Sequence, residues 1–527
     1  MKKAADFAPS VKFIKPVCLL FSAISLAFAS RGLWSGYSYW LDELYSVFAS
    51  LDTWHGLYQN WILVDVHPPL YQLVLKLWML LFGSSEGSTR TLSFAFSFVT
   101  LSAFSFDAVA GKRWRRVTAL LLIGASPAFA YYAQETRSYS LVLALSSVVT
   151  LSALQLRLQS RSMNSLANII TCFIYYVGAF LLSIAHYFGW IYVFVISVIG
   201  FFSEKIAFAR SRSLLLVAAI SVWPIWHVAF GDLGEKSGGA FWIKVAPPVL
   251  GTLHVFLDGC LPFMMLRWPS YLLFSVWGLI AALLLMYVYK RNVIKRFFVH
   301  GLSDLGGIVD ETRFTVLATL LMVGILSLVD LHTPMSTPRN YIVLLPPVMI
   351  ALANVLTMLT SLRGVKSFLG IAFSLIFILV FFVLAGQSWN GLTAKIRAHQ
   401  NWKGLAEYVS NTKLCADGCF AVGSNGRHEF YFSEAGSIVD LSSQHSPLGL
   451  SAGKATLNDQ AAYVKSRMDA KILGFHGARG QISALMEQSD ERVCLQPPQT
   501  WRNSTFVILP KSRLVGSEGQ FGLKECS

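Results

Sequence analysis

The sequence predicts an all-α polytopic membrane protein with a small α/β extracytoplasmic domain at its C-terminal end. Three observations carry that prediction. Apolar residues make up 54% of the 527 residues and charged ones only 13%, about half the charge of an ordinary soluble domain. Apolar runs long enough to cross a bilayer recur along the first ~390 residues, divided by short basic segments. From about Trp389 onward the composition turns polar and mixed. A soluble enzyme is excluded on these grounds, and the 38 Phe, 19 Tyr and 15 Trp exclude a disordered chain. The net charge of +15 would suggest nucleic acid in a soluble protein. Here the cations fall between apolar runs, where they act as topology signals, and no nucleic-acid partner is expected.

Taken in order, the first apolar run, 17–29, follows Lys2, Lys3, Lys12 and Lys15 and reads as a membrane anchor. A secretory signal peptide is the competing reading, with Ala27-Phe28-Ala29 as its cleavage site. Under either reading the chain after Ser30 lies outside. The next apolar stretch, 70–82, spans only about 20 Å as a helix, short of a hydrocarbon core of about 30 Å. Lys76 interrupts it and Pro68-Pro69 precede it, a natural helix start. It is therefore expected to lie along the membrane surface as a juxtamembrane helix, either as an anchor or as the wall of a groove for a lipid tail.

About eleven crossings remain, near 13–30, 90–110, 117–134, 139–156, 166–185, 187–202, 214–230, 269–289, 314–330, 340–358 and 367–386. Cation placement checks this map. The segments assigned to the inside hold 20 of the 43 Lys and Arg, and the outer loops only 8, the asymmetry that orients helical membrane proteins. Counting 70–82 as a crossing would turn the basic segment 112–116 outward and lose the agreement.

The C-terminal region, 390–527, reads as one extracytoplasmic α/β domain beside a transmembrane domain of 1–389. An amphipathic helix is expected at 402–409 and strands at 419–422, 471–475 and 505–509. Four of the seven cysteines, Cys415, Cys419, Cys494 and Cys526, lie here. In an oxidising exterior they admit disulfides in any of three pairings, whereas a zinc site lacks a second matched pair.

Polar groups gather on the outer side. The first outer loop carries Trp40-Leu41-Asp42-Glu43-Leu44-Tyr45 and then Asp65-Val66-His67-Pro68-Pro69-Leu70-Tyr71. The second carries Tyr131-Tyr132-Ala133-Gln134-Glu135-Thr136-Arg137-Ser138-Tyr139, and late in the chain Asp330-Leu331-His332 precedes Pro338-Arg339-Asn340-Tyr341. Each has a bland reading: Asp42 and Glu43 as a helix start, His67 as a turn residue, Glu135 with Arg137 as a surface pair, Arg339 as a snorkelling cation. Their collection on one face, from three separated places, favours a site. The outer loop 231–268, with Gly238-Gly239, Pro247-Pro248 and Asp258, is where acceptor contacts are expected.

These motifs, with Phe82-Gly83-Ser84-Ser85-Glu86-Gly87-Ser88-Thr89-Arg90 and the continuation of Pro338-Arg339 to Pro346-Pro347, resemble in order and spacing the C-type (GT-C) membrane glycosyltransferases. That group includes protein O-mannosyltransferases, lipid A aminoarabinose transferases and the bacterial lipopolysaccharide galacturonosyltransferase-like enzymes. The resemblance covers roughly the first 390 residues, and the tail from Asn401-Trp402-Lys403 is similar to the extracytoplasmic domain that many bacterial members append. It implies an inverting transfer of a sugar from a polyprenyl-phosphate donor to a glycolipid, glycan or protein acceptor on the outer face of a bacterial inner membrane. It implies that Asp42 is the catalytic carboxylate, flanked by Glu43, and that Glu135 stands where relatives have a second functional carboxylate. His67, Arg137, Arg339 and Tyr341 fall to donor-phosphate and substrate binding. His67-Pro68-Pro69 stands where mannosyltransferases have His-Pro-Pro and aminoarabinose transferases have Glu-Lys-Pro; the lysine of the latter motif is absent here, so their sugar preference does not transfer.

The chemistry of the residues supports those roles. A guanidinium such as Arg339 can hold two phosphate oxygens, and charge growing there as the glycosidic bond breaks makes the contact strongest in the transition state. A fixed carboxylate can take the acceptor hydroxyl's proton, worth typically 10²–10⁴-fold. A single displacement inverts the anomeric centre and needs no paired carboxylates at retaining distance. No cofactor is required. A divalent cation held by Asp42, Glu135 and His67 is compatible with their ligand chemistry. The rival functions are a lipid-linked sugar transporter or flippase, which would place charges near mid-membrane in repeated halves, and an O-antigen polymerase or ligase-like enzyme, which would lack the early Asp-Glu loop.

Overall fold

The computed structural model describes residues 11–33, 37–63, 65, 67–111, 113–158, 166–203, 207–230, 248–260 and 305–360, short helical pieces within 374–386, and the helices, strands and turns named below from 402 to 510. The chain divides into two compact units. The larger comprises Met1–Leu33 and Ala49–Leu392, and the smaller comprises Trp34–Phe48 and Thr393–Ser527.

Among the described residues the larger unit is built from helices: α1 (Ile14–Ala29), the end of α2 (Leu41–Leu51), α3 (Trp54–Gly56), α4 (Leu70–Phe82), α5 (Glu86–Ala110), α6 (Trp114–Ala125) and α7 (Pro127–Tyr132). There follow α8 (Tyr139–Leu158), α9 (Leu166–Ser183), α10 (Tyr187–Ser203), α11 (Ala207–Phe230), α12 (Pro248–Cys260), α13 (Leu305–Asp330), a 3₁₀ turn over Pro338–Leu344 and α14 (Leu345–Thr360). Six are long and apolar enough to cross a membrane: Ile14–Gly32, Glu86–Ala110, Tyr139–Arg157, Leu166–Ser183, Gly306–Asp330 and Pro338–Thr360. Each coincides with an expected crossing. Tyr187–Phe202 and Ser213–His227 are apolar but shorter. The crossing expected at 269–289 lies outside the described residues, as does much of 367–386.

One expected crossing takes a different form. Residues 117–134 are not one helix but two, α6 and α7, parted at Ser126, whose backbone is extended (φ −64°, ψ 130°), with Pro127 opening α7. A proline disfavours helical geometry in the residue before it and suits the first position of a new helix. Further back, α5 starts at Glu86, earlier than expected. Ser85 accepts the Ser88 N–H at 3.3 Å, and the acid of Glu86 lies in the first turn, a favourable N-terminus.

Within this unit α8 and the span containing α14 are the most deeply buried of the long helices. α8 packs against α5 and α9, and α14 against α6 and α13. Small residues bring helices together: Ser22 of α1 meets Ser105 of α5 at 3.2 Å, and a Cβ at Gly124 of α6 would lie 2.3 Å from Ser25 Oγ. Ile169, Phe173 and Phe180 of α9 and Phe98 and Phe106 of α5 point outward, as lipid-facing side chains do. α4 has the expected limits, but Lys76 is buried rather than turned to headgroups. Its ammonium donates to the carbonyls of Ser50 (3.1 Å) and Asp52 and lies 5.0 Å from the Trp54 ring centroid. A cation there complements the C-terminal dipole of α2.

Arg115 and Arg116, read from the sequence as inner topology signals, are also buried. Glu311 of α13 accepts from Arg115 Nη2 (3.0 Å) and Nε (3.3 Å) and from Asn354 Nδ2 of α14 (3.4 Å), and it forms an ion pair with Arg116 Nη2 at 3.1 Å. Arg113 Nη1 stands at 3.7 Å, and Arg116 Nε reaches Asp107 of α5 at 2.7 Å. This cluster ties α5, α6, α13 and α14 together through ion pairs between opposite charges and the Asn354 hydrogen bond.

The smaller unit contains a five-stranded sheet of order β2-β1-β3-β5-β4, with β1 (Cys419–Val422), β2 (Ile438–Asp440), β3 (Ile472–Gly474), β4 (Arg492–Leu495) and β5 (Phe506–Pro510). β1 runs parallel to both β2 and β3, with Phe420 opposite Ile472, and β5 runs antiparallel to β3 and β4. Of the three expected strands, β1 has the expected limits and β3 and β5 have shifted ends, and β2 and β4 are additional. Helix α15 (Trp402–Thr412) extends the expected 402–409, with Trp402 and Val409 buried. Cys415 and Cys419 form a disulfide, and Cys526 lies outside the described residues. Within this unit the Tyr39 N–H donates to Tyr431 Oη at 2.7 Å, and Tyr39 and Phe48 pack edge-on against Phe430.

Candidate active site

The His-Pro-Pro turn is the first component. Asp65, buried, accepts the His67 backbone N–H at 3.1 Å in an Asx-type turn, meets His67 Nδ1 at 2.9 Å and accepts from Gln72 Nε2 at 3.0 Å. A carboxylate on Nδ1 orients the ring and leaves Nε2 as its other polar edge. Burial pushes the Asp65 carboxyl up, but the charge and hydrogen bonds of His67 and the charge of Arg137 outweigh it and hold the carboxyl below its ordinary range. The Leu70 N–H donates to the Ile184 carbonyl at 3.1 Å, which pins this turn to the one between α9 and α10.

The 135–138 turn supplies the second component. Ser93 of α5 donates to the Glu135 carbonyl at 2.6 Å, and Thr89 meets Thr136 Oγ1 at 2.9 Å. Glu135 and Arg137 are buried rather than lying as a surface pair. The third component is the 3₁₀ turn. Asp330, at the end of α13, accepts the N–H groups of Met335 (2.9 Å) and Ser336 (3.1 Å) and the Thr252 hydroxyl (2.6 Å). Gly259 of α12 lies so close that a Cβ there would be 2.3 Å from the Pro338 carbonyl oxygen. These contacts set Arg339, whose guanidinium carbon stands 5.8 Å from the Tyr139 ring centroid, within cation–π range.

The three components converge within the larger unit. His67 meets His186 edge-on at 5.8 Å, and Tyr139 lies 6.2 Å from His186 and 4.8 Å from Tyr132. The charges of Glu135 and Arg339 both act on Tyr132, and those of His67, Arg137 and Arg339 all act on His186. The result is a cluster of cations, tyrosines and imidazoles gathered from segments more than 250 residues apart in sequence. Tyr341 belongs beneath it. Fully buried, with its hydroxyl on Ser336 at 3.0 Å and its ring against Phe188 and Phe256, it supports the Arg339 turn rather than opening toward a ligand.

Asp42 and Glu43 belong to the smaller unit, in the first turn of α2. Glu43 is buried and accepts the Trp40 N–H at 3.2 Å, half of a capping box, so one carboxylate oxygen serves the helix start. Asp42 is half-buried. Of the expected acceptor loop, 231–247 and 261–268 lie outside the described residues, and Asp258 pairs with His254 one helical turn away at 3.2 Å. Among the described residues no group of three His, Cys, Asp or Glu side chains is arranged to hold a metal ion.

Asp65, His186 and the supporting Asp330 were not singled out as site residues from sequence. Asp65 was legible two positions before His67. His186 stands alone in the sequence, between two apolar helices, and carries no motif.

No protein-family model and no curated protein sequence matches the chain. Solved structures do. ArnT from Cupriavidus metallidurans in the apo state is 14% identical, over 94% of this chain and 98% of that one, with a TM-score of 0.52. ArnT from the same organism bound to undecaprenyl phosphate aligns at 13% identity over 93% and 97%, with a TM-score of 0.49. The archaeal oligosaccharyltransferase AglB from Archaeoglobus fulgidus, in complex with an inhibitory peptide and a dolichol-phosphate, aligns at 10% over 97% and 74%, with a TM-score of 0.46. In fold, then, this chain is similar to ArnT.

Proposed function

We propose that this protein is an inverting membrane glycosyltransferase that moves a sugar from a polyprenyl-phosphate donor to a cell-envelope acceptor on the outer face of a bacterial inner membrane. The observation that carries the reading is the gathering of His67, Glu135, Arg137 and Arg339 around Tyr132, Tyr139 and His186, in a chain whose fold is similar to that of ArnT. Two guanidiniums, Arg137 and Arg339, the latter over the Tyr139 ring, suit a phosphate that must stay bound while its negative charge grows. The acceptor oxygen attacks the anomeric carbon, and the carbon–oxygen bond to phosphate breaks with its electron pair passing to the phosphate oxygen. The acceptor proton passes to a carboxylate, the role we assign to Asp42. Glu135 is assigned to substrate hydroxyls and His67, oriented by Asp65, to the donor. The reaction so written needs no cofactor.

The same reading includes about eleven crossings, with the C-terminal domain outside the cytoplasm, supported by the excess of cations on the segments assigned inward. A cysteine placed at Gln134 should react with an impermeant thiol reagent in intact cells. The test of function is transfer from a polyprenyl-phosphate sugar by the purified full chain. Asp42→Asn should lower turnover by roughly 10²–10⁴-fold with donor affinity retained, and Arg339→Ala should weaken donor use. Full activity of both variants would overturn the assignment.

A further inference from the structure

His186 is a polar group at the site that the reaction as written leaves unused. It sits in the turn between α9 and α10, only 5% exposed. Its Nδ1 accepts the Phe188 backbone N–H at 3.2 Å. A nitrogen that accepts carries a lone pair, so the ring proton of the neutral imidazole is on Nε2. Nε2 is buried and has no hydrogen-bond partner among the described residues. Native folds rarely leave a buried N–H in that condition, and an exception asks for a missing acceptor.

The surroundings say what that acceptor is. His67 and Tyr139 stand around the ring, and the charges of Arg137 and Arg339 act on it. Asp65, the carboxylate that pairs with His67, is taken up by His67 and Gln72. A place with two guanidiniums and an unused N–H suits an anionic oxygen. Burial, and then the charges of His67, Arg137 and Arg339, hold His186 well below the usual imidazole range, so the ring stays a neutral donor.

We propose that His186 donates its Nε2–H to a phosphate oxygen of the bound polyprenyl-phosphate substrate, as a third, uncharged contact beside Arg137 and Arg339. The inference rests on the donor class proposed above. A neutral donor adds a directed bond without adding charge that would hold the phosphate product in place.

Two substitutions separate this role from a purely structural one. His186→Gln places an N–H donor at the reach of Nε2. His186→Asn keeps an oxygen near the position of Nδ1, able to accept the Phe188 N–H, but has no donor at the outer position. The full-length protein in lipid nanodiscs is titrated with undecaprenyl phosphate, and thermal unfolding checks that both variants are folded. His186→Gln should bind within about threefold of wild type, and His186→Asn should lose roughly ten- to hundredfold, the scale of a hydrogen bond to a charged group. Wild-type affinity in His186→Asn, or equal loss in both variants, overturns the role of His186 and leaves the donor reading standing. Failure of the wild-type protein to bind undecaprenyl phosphate overturns the donor reading and the His186 contact with it.

Discussion

Replacing Glu311 by Gln removes one negative charge and almost no volume from the cluster that joins α5, α6, α13 and α14. Glu311 is 2% exposed, Arg116 1% and Arg115 7%. In the native arrangement three guanidiniums face two carboxylates, Glu311 and Asp107, with four contacts to Glu311 from Arg115, Arg116 and Asn354 at 3.0–3.4 Å. The variant leaves Asp107 as the carboxylate facing Arg116 and strips Arg115 of both its charged contacts to Glu311. Breaking a buried ion pair by removing one partner costs about 3–5 kcal/mol, because the remaining charge stays desolvated. The measurement is the unfolding free energy of the detergent-solubilised protein. Asp258→Asn is the control, since its half-exposed partner His254 should be worth no more than about 1 kcal/mol. Combining Glu311→Met with Arg115→Met should recover much of the loss, since apolar replacement of a whole buried pair is often neutral. A loss below about 1 kcal/mol in Glu311→Gln would mean that these charges are hydrated, and the account of the cluster as a buried tie would be wrong.

Gly259→Ala drives a Cβ toward the Pro338 carbonyl, 2.3 Å away and part of the backbone. The turn must move, at about 1–3 kcal/mol for overpacking, and donor affinity should fall with stability because Arg339 is on that turn. Unchanged affinity for undecaprenyl phosphate would separate the turn from the site. Asp65→Asn should lower turnover by freeing His67. It should also flatten the acid limb of stability. The Asp65 carboxyl is held low in the fold, so its contribution is present above the unfolded value near 3.9 and is lost as pH falls through the lower folded value. Wild type should therefore lose more stability than the variant on acidification below about pH 4, and parallel acid limbs would contradict the Asp65–His67 pairing.

Much of this was legible in the sequence because it is encoded locally. Six long apolar runs appear as helices of crossing length, and 70–82 forms a helix within those limits because Pro69 precedes it and Gly83, at φ 80°, closes it. The break before Pro127 is also local, a proline signal within an apolar run. Other features depend on partners far along the chain. Arg115 meets Glu311 across 196 residues, and no count of charges distinguishes that buried pair from a loop of topology signals. His186 gains its meaning only where the turn after α9 meets the His67 turn. Strands β2 and β4 are three and four residues long, too short to show a period. Asp42 and Glu43 looked alike in the sequence, and only the geometry separates the capping role of Glu43.

The most direct test is a cryo-electron microscopy structure of the full chain in a lipid nanodisc with undecaprenyl phosphate bound. Phosphate density is expected within hydrogen-bond distance of Arg339 and Arg137, beside His186, with the lipid tail leading away into the bilayer. A phosphate bound elsewhere, with those side chains left empty, would contradict that placement.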